Sequence, residues 1–255
     1  MPTSLRVERH QSLAVLRLDK PRGNAIDEPL AQDLIAAARE LAAAADVRGV
    51  LLASAHPKLF CPGLDLVSLS SYGRHDMRRF MLAFGAAITA WYAFPKPVVA
   101  AVSGAALAGG CILAMTADQR LLRRGAPIGL NEVKLGVPLP WSVAVLLRST
   151  VPPVSIAKVA LLGRNFADEE AVAIGLADAV LEGEGFEAGC LEVLQEFAEK
   201  DGRAFGRTKE YLRNDALTEM RAHEEVRIGE FLDCWFSAPT QARIRETVAA
   251  LSSRK

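Results

Sequence analysis

Glu132 is the carboxylate in this sequence best placed by its neighbours for proton transfer. It stands among Ile128, Leu130, Val133 and Leu135, shortly after Pro127. Inside a fold, such a carboxyl group loses water and its pKa rises toward the range of a general base. Outside, it is a surface glutamate beside Lys134. Two glycine-bearing loops, Pro62-Gly63-Leu64 and Ala108-Gly109-Gly110, are candidate cradles for negative charge. Glycine lets the backbone pass close to a ligand, and the first N–H groups of a helix have no partner within it. Two such donors converging on one oxygen would stabilise an enolate. Ordinary turns use the same residues.

Other chemistries find less support. Ser103-Gly104 lacks the G-x-S-x-G elbow of a serine hydrolase. Cys111 falls at a helix start, where a thiol pKa can drop, but no histidine is near it in sequence. His10, His56, His75 and His223 show no metal spacing. Asp65 and Asp118 read as structural hydrogen-bonding residues. Lys20, Arg22, Lys58 and Lys96 are either contacts for a phosphate-bearing ligand or solvated loop charges. Phe80, Phe84 and Trp91 form a helical stripe that suits a core.

The elements that must hold these residues follow from periodicity. Leu5–Val7 and Leu13–Leu18 alternate and predict two strands around a turn at His10-Gln11-Ser12. Leu30, Leu34, Ile35, Ala38 and Leu41 mark a helix, and Val50–Ala53 a strand buried on both faces. An irregular loop from His56 to Leu66 leads to a long helix over Arg74–Ala93. Pro97–Ala117 carries no charge and matches a membrane span in length. Its β-branched start, Ser103-Gly104 break and glycine turn instead predict a strand, a turn and a short buried helix. Arg120–Leu122 predicts another strand, and helices follow over Trp141–Leu147, Val154–Leu162 and from Asp168. Ala179–Leu181 is the last expected strand. Beyond it only helices are expected, over 186–200, 204–220, 222–236 and 240–251. The class is therefore α/β, with a mixed part over 1–195 and a helical part over 196–255.

Composition narrows the partners. The chain has 255 residues, 51% of them hydrophobic, enough for a sizeable core. Thirty basic and thirty acidic residues cancel, which gives no electrostatic case for nucleic acid or an anionic membrane. Cys61, Cys111, Cys190 and Cys234 are scattered and read as reduced, buried thiols. Met1–His10 shows no leader pattern, so a cytoplasmic location is expected.

Several segments together resemble the crotonase family, the enoyl-CoA hydratase/isomerase superfamily, over nearly the whole chain. They are P-R-G-N-A-I from Pro21 to Ile26, F-C-P-G-L-D-L from Phe60 to Leu66, and Lys96–Gly104. Ala108-Gly109-Gly110-Cys111 and Ala117-Asp118 complete the set. The resemblance implies a crotonase-type spiral of β-β-α turns with a helical C-terminal region used for trimerisation. It implies a homotrimer or dimer of trimers, acyl-CoA thioesters as substrates, and no metal or other cofactor. It assigns the oxyanion hole to the N–H groups of Leu64 and Gly109. Asn24, Ala25, Ile26 and Pro62, Gly63, Asp65, Leu66 would line the coenzyme A site.

Typical hydratases of the family carry two glutamates. The second aligns with Glu132, but the position of the first is Ile112 here. Isoleucine moves no proton, whereas a single base suffices to shift a double bond. Ile128-Gly129-Leu130-Asn131-Glu132, Leu135-Gly136, Pro140-Trp141 and Gly63–Leu66 resemble the Δ3,Δ2-enoyl-CoA isomerase branch. There the glutamate is the lone catalytic base, and Asn131 would contact the acyl part or orient it. The alternatives are hydration or a specialised CoA lyase reaction within the family, or a non-catalytic acyl-CoA- or RNA-binding relative.

Overall fold

The computed structural model describes residues 4–21 and 23–253; Arg22 lies outside the described residues. β1 (Leu5–His10) and β2 (Leu13–Leu18) form an antiparallel hairpin. α1 (Glu28–Ala43) starts where the Asp27 carboxylate accepts a hydrogen bond from the Leu30 N–H, and it buries Leu30, Leu34, Ala38 and Leu41. β3 (Gly49–Ser54) is buried throughout, as its unbroken apolar run requires.

The chain then repeats a pattern. β4 (Leu59–Cys61) leads through the short α2 (Leu66–Leu69) to α3 (Arg74–Tyr92). β5 (Val98–Val102) and β6 (Ala105–Leu107) lead to α4 (Gly109–Met115). β7 (Gln119–Arg123) and β8 (Ile128–Gly129) lead to α5 (Glu132–Leu135). In each turn the first strand joins one sheet and the second strand another. The larger sheet runs β1-β2-β3-β5-β7-β9, parallel except for the hairpin, and the smaller runs β4-β6-β8. This is the spiral of β-β-α turns that the resemblance implied. Its second strands, two or three residues long and close to Pro or Gly, are too short to show alternation. Hence 56–66 reads as loop from sequence although it contains β4 and the start of α2.

α6 (Trp141–Thr150), α7 (Pro153–Leu161) and α8 (Asp168–Ala173) precede β9 (Ala179–Leu181). Three helices close the chain: α9 (Phe186–Ala198), α10 (Gly202–Trp235) and α11 (Ala238–Ser252). The expected pair of helices over 204–220 and 222–236 is one helix of 34 residues. Met220-Arg221-Ala222 contains no glycine or proline to stop it. Its buried residues Leu217, Met220, Ile228, Phe231 and Trp235 keep one helical spacing across the expected break.

The two faces of the larger sheet separate two cores. Val98, Ala100 and Val102 of β5 face the main core under α1, α3, α4 and α10. Val99 and Ala101 face a smaller one covered by α9 through Phe186, Cys190 and Leu194. The division expected at 195 falls inside α9. α10 crosses to the other side and packs on α3 and α6. There Asp118 accepts hydrogen bonds from the Val98 N–H, Lys209 and Arg213, tying the ends of β5 and α4 to α10. No helix among the described residues is long and apolar enough to cross a membrane.

Candidate active site

Three backbone segments meet at one cavity of about 920 Å³. The first is Gly63-Leu64-Asp65. Ile26 holds it as in a parallel ladder: its N–H donates to the Gly63 carbonyl and its carbonyl accepts from the Asp65 N–H, both at 2.8 Å. Alternation along an extended chain turns the Leu64 N–H away from Ile26. No hydrogen bond from it occurs within the described residues. The second segment is Ala108-Gly109-Gly110 at the start of α4. Ala108 adopts φ 46° and ψ −117°, a conformation that L-residues other than glycine rarely adopt. It turns the chain sharply from β6 into the helix and leaves the Gly109 N–H without an intrahelical partner. The segments touch because they lack side chains. A Cβ on Gly110 would stand 2.0 Å from the Cys61 carbonyl oxygen, and one on Gly63, at φ 106°, 2.9 Å from the Ala108 Cβ.

The third segment carries Glu132, the first residue of α5. The residue is half-buried, but its carboxyl group turns inward: Oε2 is buried and has no hydrogen-bond partner. Desolvation pushes its pKa up from 4.5 to about 7, against the weaker pull of the Glu132 and Asn131 amides. Ile112, 2% exposed, lines the cavity at the position that the family resemblance gives to a second carboxylate. Leu135, Val137, Phe84, Phe231 and Trp235 extend an apolar wall. An orphaned carboxyl oxygen at such a wall can accept a proton from a ligand, and two free N–H groups can hold an oxygen that becomes negative.

The expected site residues divide into two groups. Ala25, Pro62, Leu64, Asp65, Leu66, Gly109, Asn131 and Glu132 line the cavity. Asn24, Ile26 and Gly63 stand behind its wall. Asn24 is wholly buried, at φ 65°, and its amide donates to Ser54 Oγ and the Phe60 carbonyl. Lys20 and Lys96 do not reach for phosphate either. Lys96 donates to the carbonyls of Leu41 and Ala44 at the end of α1, and Lys20 is held by Ala25, Asp27 and Asp65. Burial pushes the Cys61 thiol up to about 12 and raises that of Cys111 as well, which removes both as nucleophiles. Among the described residues no cluster of His, Cys, Asp or Glu could hold a metal ion.

Sequence reasoning missed the wall given by α10 and α11: Phe231, Trp235, Arg243 and Thr247. They lie some hundred positions beyond Glu132 in the chain, so no local spacing links them to it.

A sequence model of the enoyl-CoA hydratase/isomerase family matches residues 8–248. The chain belongs to that family. It is similar to the human mitochondrial enoyl-CoA delta isomerase 1, with 26% identity over 222 residues, covering 86% of this chain and 74% of the relative. It is also similar to a probable enoyl-CoA hydratase of Mycobacterium avium, with 34% identity over 174 residues, 68% of this chain and 67% of the relative. The crystal structure of human mitochondrial Δ3-Δ2-enoyl-CoA isomerase shares the fold at a TM-score of 0.94, covering 99% of both chains at 24% identity. The protein is thus an enzyme of the crotonase family, and an acyl-CoA substrate fits that membership.

Proposed function

We propose that this member of the family is a Δ3,Δ2-enoyl-CoA isomerase. The observation that carries the reading is the state of Glu132: its Oε2 is buried and unpartnered, whereas the other carboxylates lining the cavity are Asp65, paired with Lys20, and the exposed Glu246, and the position of a second acid is the buried, apolar Ile112. The thioester oxygen of a 3-enoyl-CoA accepts hydrogen bonds from the Leu64 and Gly109 N–H groups. Glu132 removes a proton from C2, and the charge delocalises into a dienolate held by those donors. The same carboxyl group returns the proton to C4, about 2.5 Å from C2 by covalent geometry. The product is the conjugated trans-2-enoyl-CoA. The lining residues Ala25, Pro62, Asp65, Leu66 and Asn131 contact the substrate, while Asn24, Ile26 and Gly63 support them from behind. The scheme calls on no metal ion or added cofactor, coenzyme A being part of the substrate.

The likeness to a probable hydratase favours hydration as the second reading. Hydration needs acid–base handling of a water as well as of carbon, and Ile112 cannot share that task. Assembly as a trimer or dimer of trimers is part of the proposal. Tyr211, Leu212 and Val226 on α10 and Val154 and Leu161 on α7 are exposed apolar faces available for it. The thiols, buried or half-buried and unpaired, suit a cytoplasmic location.

The test is a paired assay with trans-3-hexenoyl-CoA and trans-2-hexenoyl-CoA. Isomerisation of the first, little hydration of the second, and a loss of about 10³-fold or more in Glu132→Gln support the reading. Strong hydration by the wild type would overturn it.

A further inference from the structure

Lys20 stands out among the buried charges that this mechanism leaves unused. Its side chain is only 14% exposed and lies between two carboxylates that are nearly as buried, Asp27 at 17% and Asp65 at 21%. An ammonium has three protons to donate. Here Nζ has three acceptors: the Ala25 carbonyl at 2.7 Å, Asp27 Oδ2 at 2.7 Å and Asp65 Oδ2 at 3.4 Å. The other oxygen of each aspartate caps a helix, Asp27 Oδ1 accepting from the Leu30 N–H of α1 and Asp65 Oδ1 from the Ser68 N–H of α2. The Lys20 backbone is fixed as well. Its N–H donates to Asn24 Oδ1, and its carbonyl accepts from the Asn24 N–H and pairs with the His56 ring nitrogen.

These contacts converge on the Leu64 amide. The loop from Lys20 to Asp27 presents Ile26, which brackets Leu64 through Gly63 and Asp65. Lys20 holds that loop by the Ala25 carbonyl and by Asp27, on either side of Ile26. It holds the other partner by the Asp65 side chain, one residue beyond Leu64. We infer that Lys20 is a positioning residue for the oxyanion hole, clamping the loop carrying Ile26 to Asp65 and so fixing where the Leu64 N–H points. The inference rests on the reading of Leu64 and Gly109 as the donors to the thioester oxygen. Removing the ammonium leaves two like charges facing each other across the clamp, and the strand between them shifts. Displacing a catalytic dipole by about an ångström costs roughly 100-fold in rate.

The direct readout is the carbonyl stretch of bound hexanoyl-CoA carrying ¹³C at C1, a saturated thioester that cannot isomerise. Its infrared frequency reports polarisation by the two amides. In the wild type the band moves to lower frequency on binding. In Lys20→Met the band moves back toward the free value, and kcat for trans-3-hexenoyl-CoA falls about 100-fold with KM within about threefold. Asp27→Asn, outside the cavity lining, keeps an oxygen to cap α1 while removing the charge that Lys20 grips. It produces the same two changes and serves where Lys20→Met does not fold. The double variant is no slower than the worse single variant, as expected for two members of one clamp. A carbonyl band at the wild-type frequency in both single variants overturns the inference, whatever happens to the rate. If the wild type neither shifts the band nor isomerises the 3-enoyl thioester, the reading of the Leu64–Gly109 site fails, and the inference fails with it.

Discussion

At the scale of single residues, Glu132 ties the proposed function to stability. Its carboxyl titrates near 7 in the fold and near 4.5 when exposed. The folded state therefore holds a proton that the unfolded state has lost between those values, and stability falls as pH rises from about 4.5 to 7. Glu132→Gln removes that cost. The variant is expected to be more stable than the wild type above pH 7, by roughly 1–3 kcal/mol after allowance for partial exposure, and to show no gain below pH 4. Urea titrations at pH 4 and pH 8 measure the difference. In the proposed mechanism the base works only when ionised, so kcat/KM of the wild type should climb with pH to a plateau above an apparent pKa near 7. Glu132 was legible from its apolar neighbours, although spacing alone left it open between an inner base and a surface charge. Its inward-turned carboxyl speaks against the surface charge, and that depth depends on packing that the local sequence does not encode. Asn24 fails for the complementary reason. Its motif placed it in the lining of the coenzyme A site, and nothing in the motif says that its amide faces inward to Ser54 and Phe60.

At the scale of elements, β1, β2, β3, β5 and β7 of the larger sheet were readable because five or six residues suffice to show a pattern. The strands of the smaller sheet were not, because Ile128–Gly129 is too short to have one. α10 was legible as helix but not as a single helix, since only its continuous contact with α3 and α6 shows that the stripe never breaks. Its attachment supplies a prediction. Asp118 neutralises Lys209 and Arg213, both nearly buried, and burial lowers the Lys209 pKa to about 8. Asp118→Ala leaves two cations with backbone carbonyls but no counter-charge and should cost about 3–5 kcal/mol at pH 6. A lysine with a depressed pKa carries fewer protons folded than unfolded, so stability rises with pH between about 8 and 10.5. The deficit of the variant should therefore shrink at pH 9.5, which denaturant melts at the two pH values would show.

At the scale of the molecule, the cavity draws its walls from the loop after β2, the starts of α2, α4 and α5, and the distant α3, α10 and α11. On the proposed function the helical tail would have a part in substrate choice that no pattern within it announced. Phe231 and Trp235 stack at 6.0 Å between centroids and line the apolar wall with Phe84. Phe231→Leu should make room there and raise the preference for a 3-decenoyl over a 3-hexenoyl thioester by about tenfold, read as the ratio of kcat/KM values. The same enclosure decides the fate of hydrogen isotopes. Glu132 Oε2 is buried and bonded to nothing among the described residues, so in the proposed reaction a deuteron taken from a substrate labelled at C2 would have little chance to wash out once substrate fills the cavity. Run in light water, the reaction should deliver much of that label to C4 of the product, where mass spectrometry would find it. The buried base would then carry a hydrogen from one carbon of a molecule to another carbon of the same molecule.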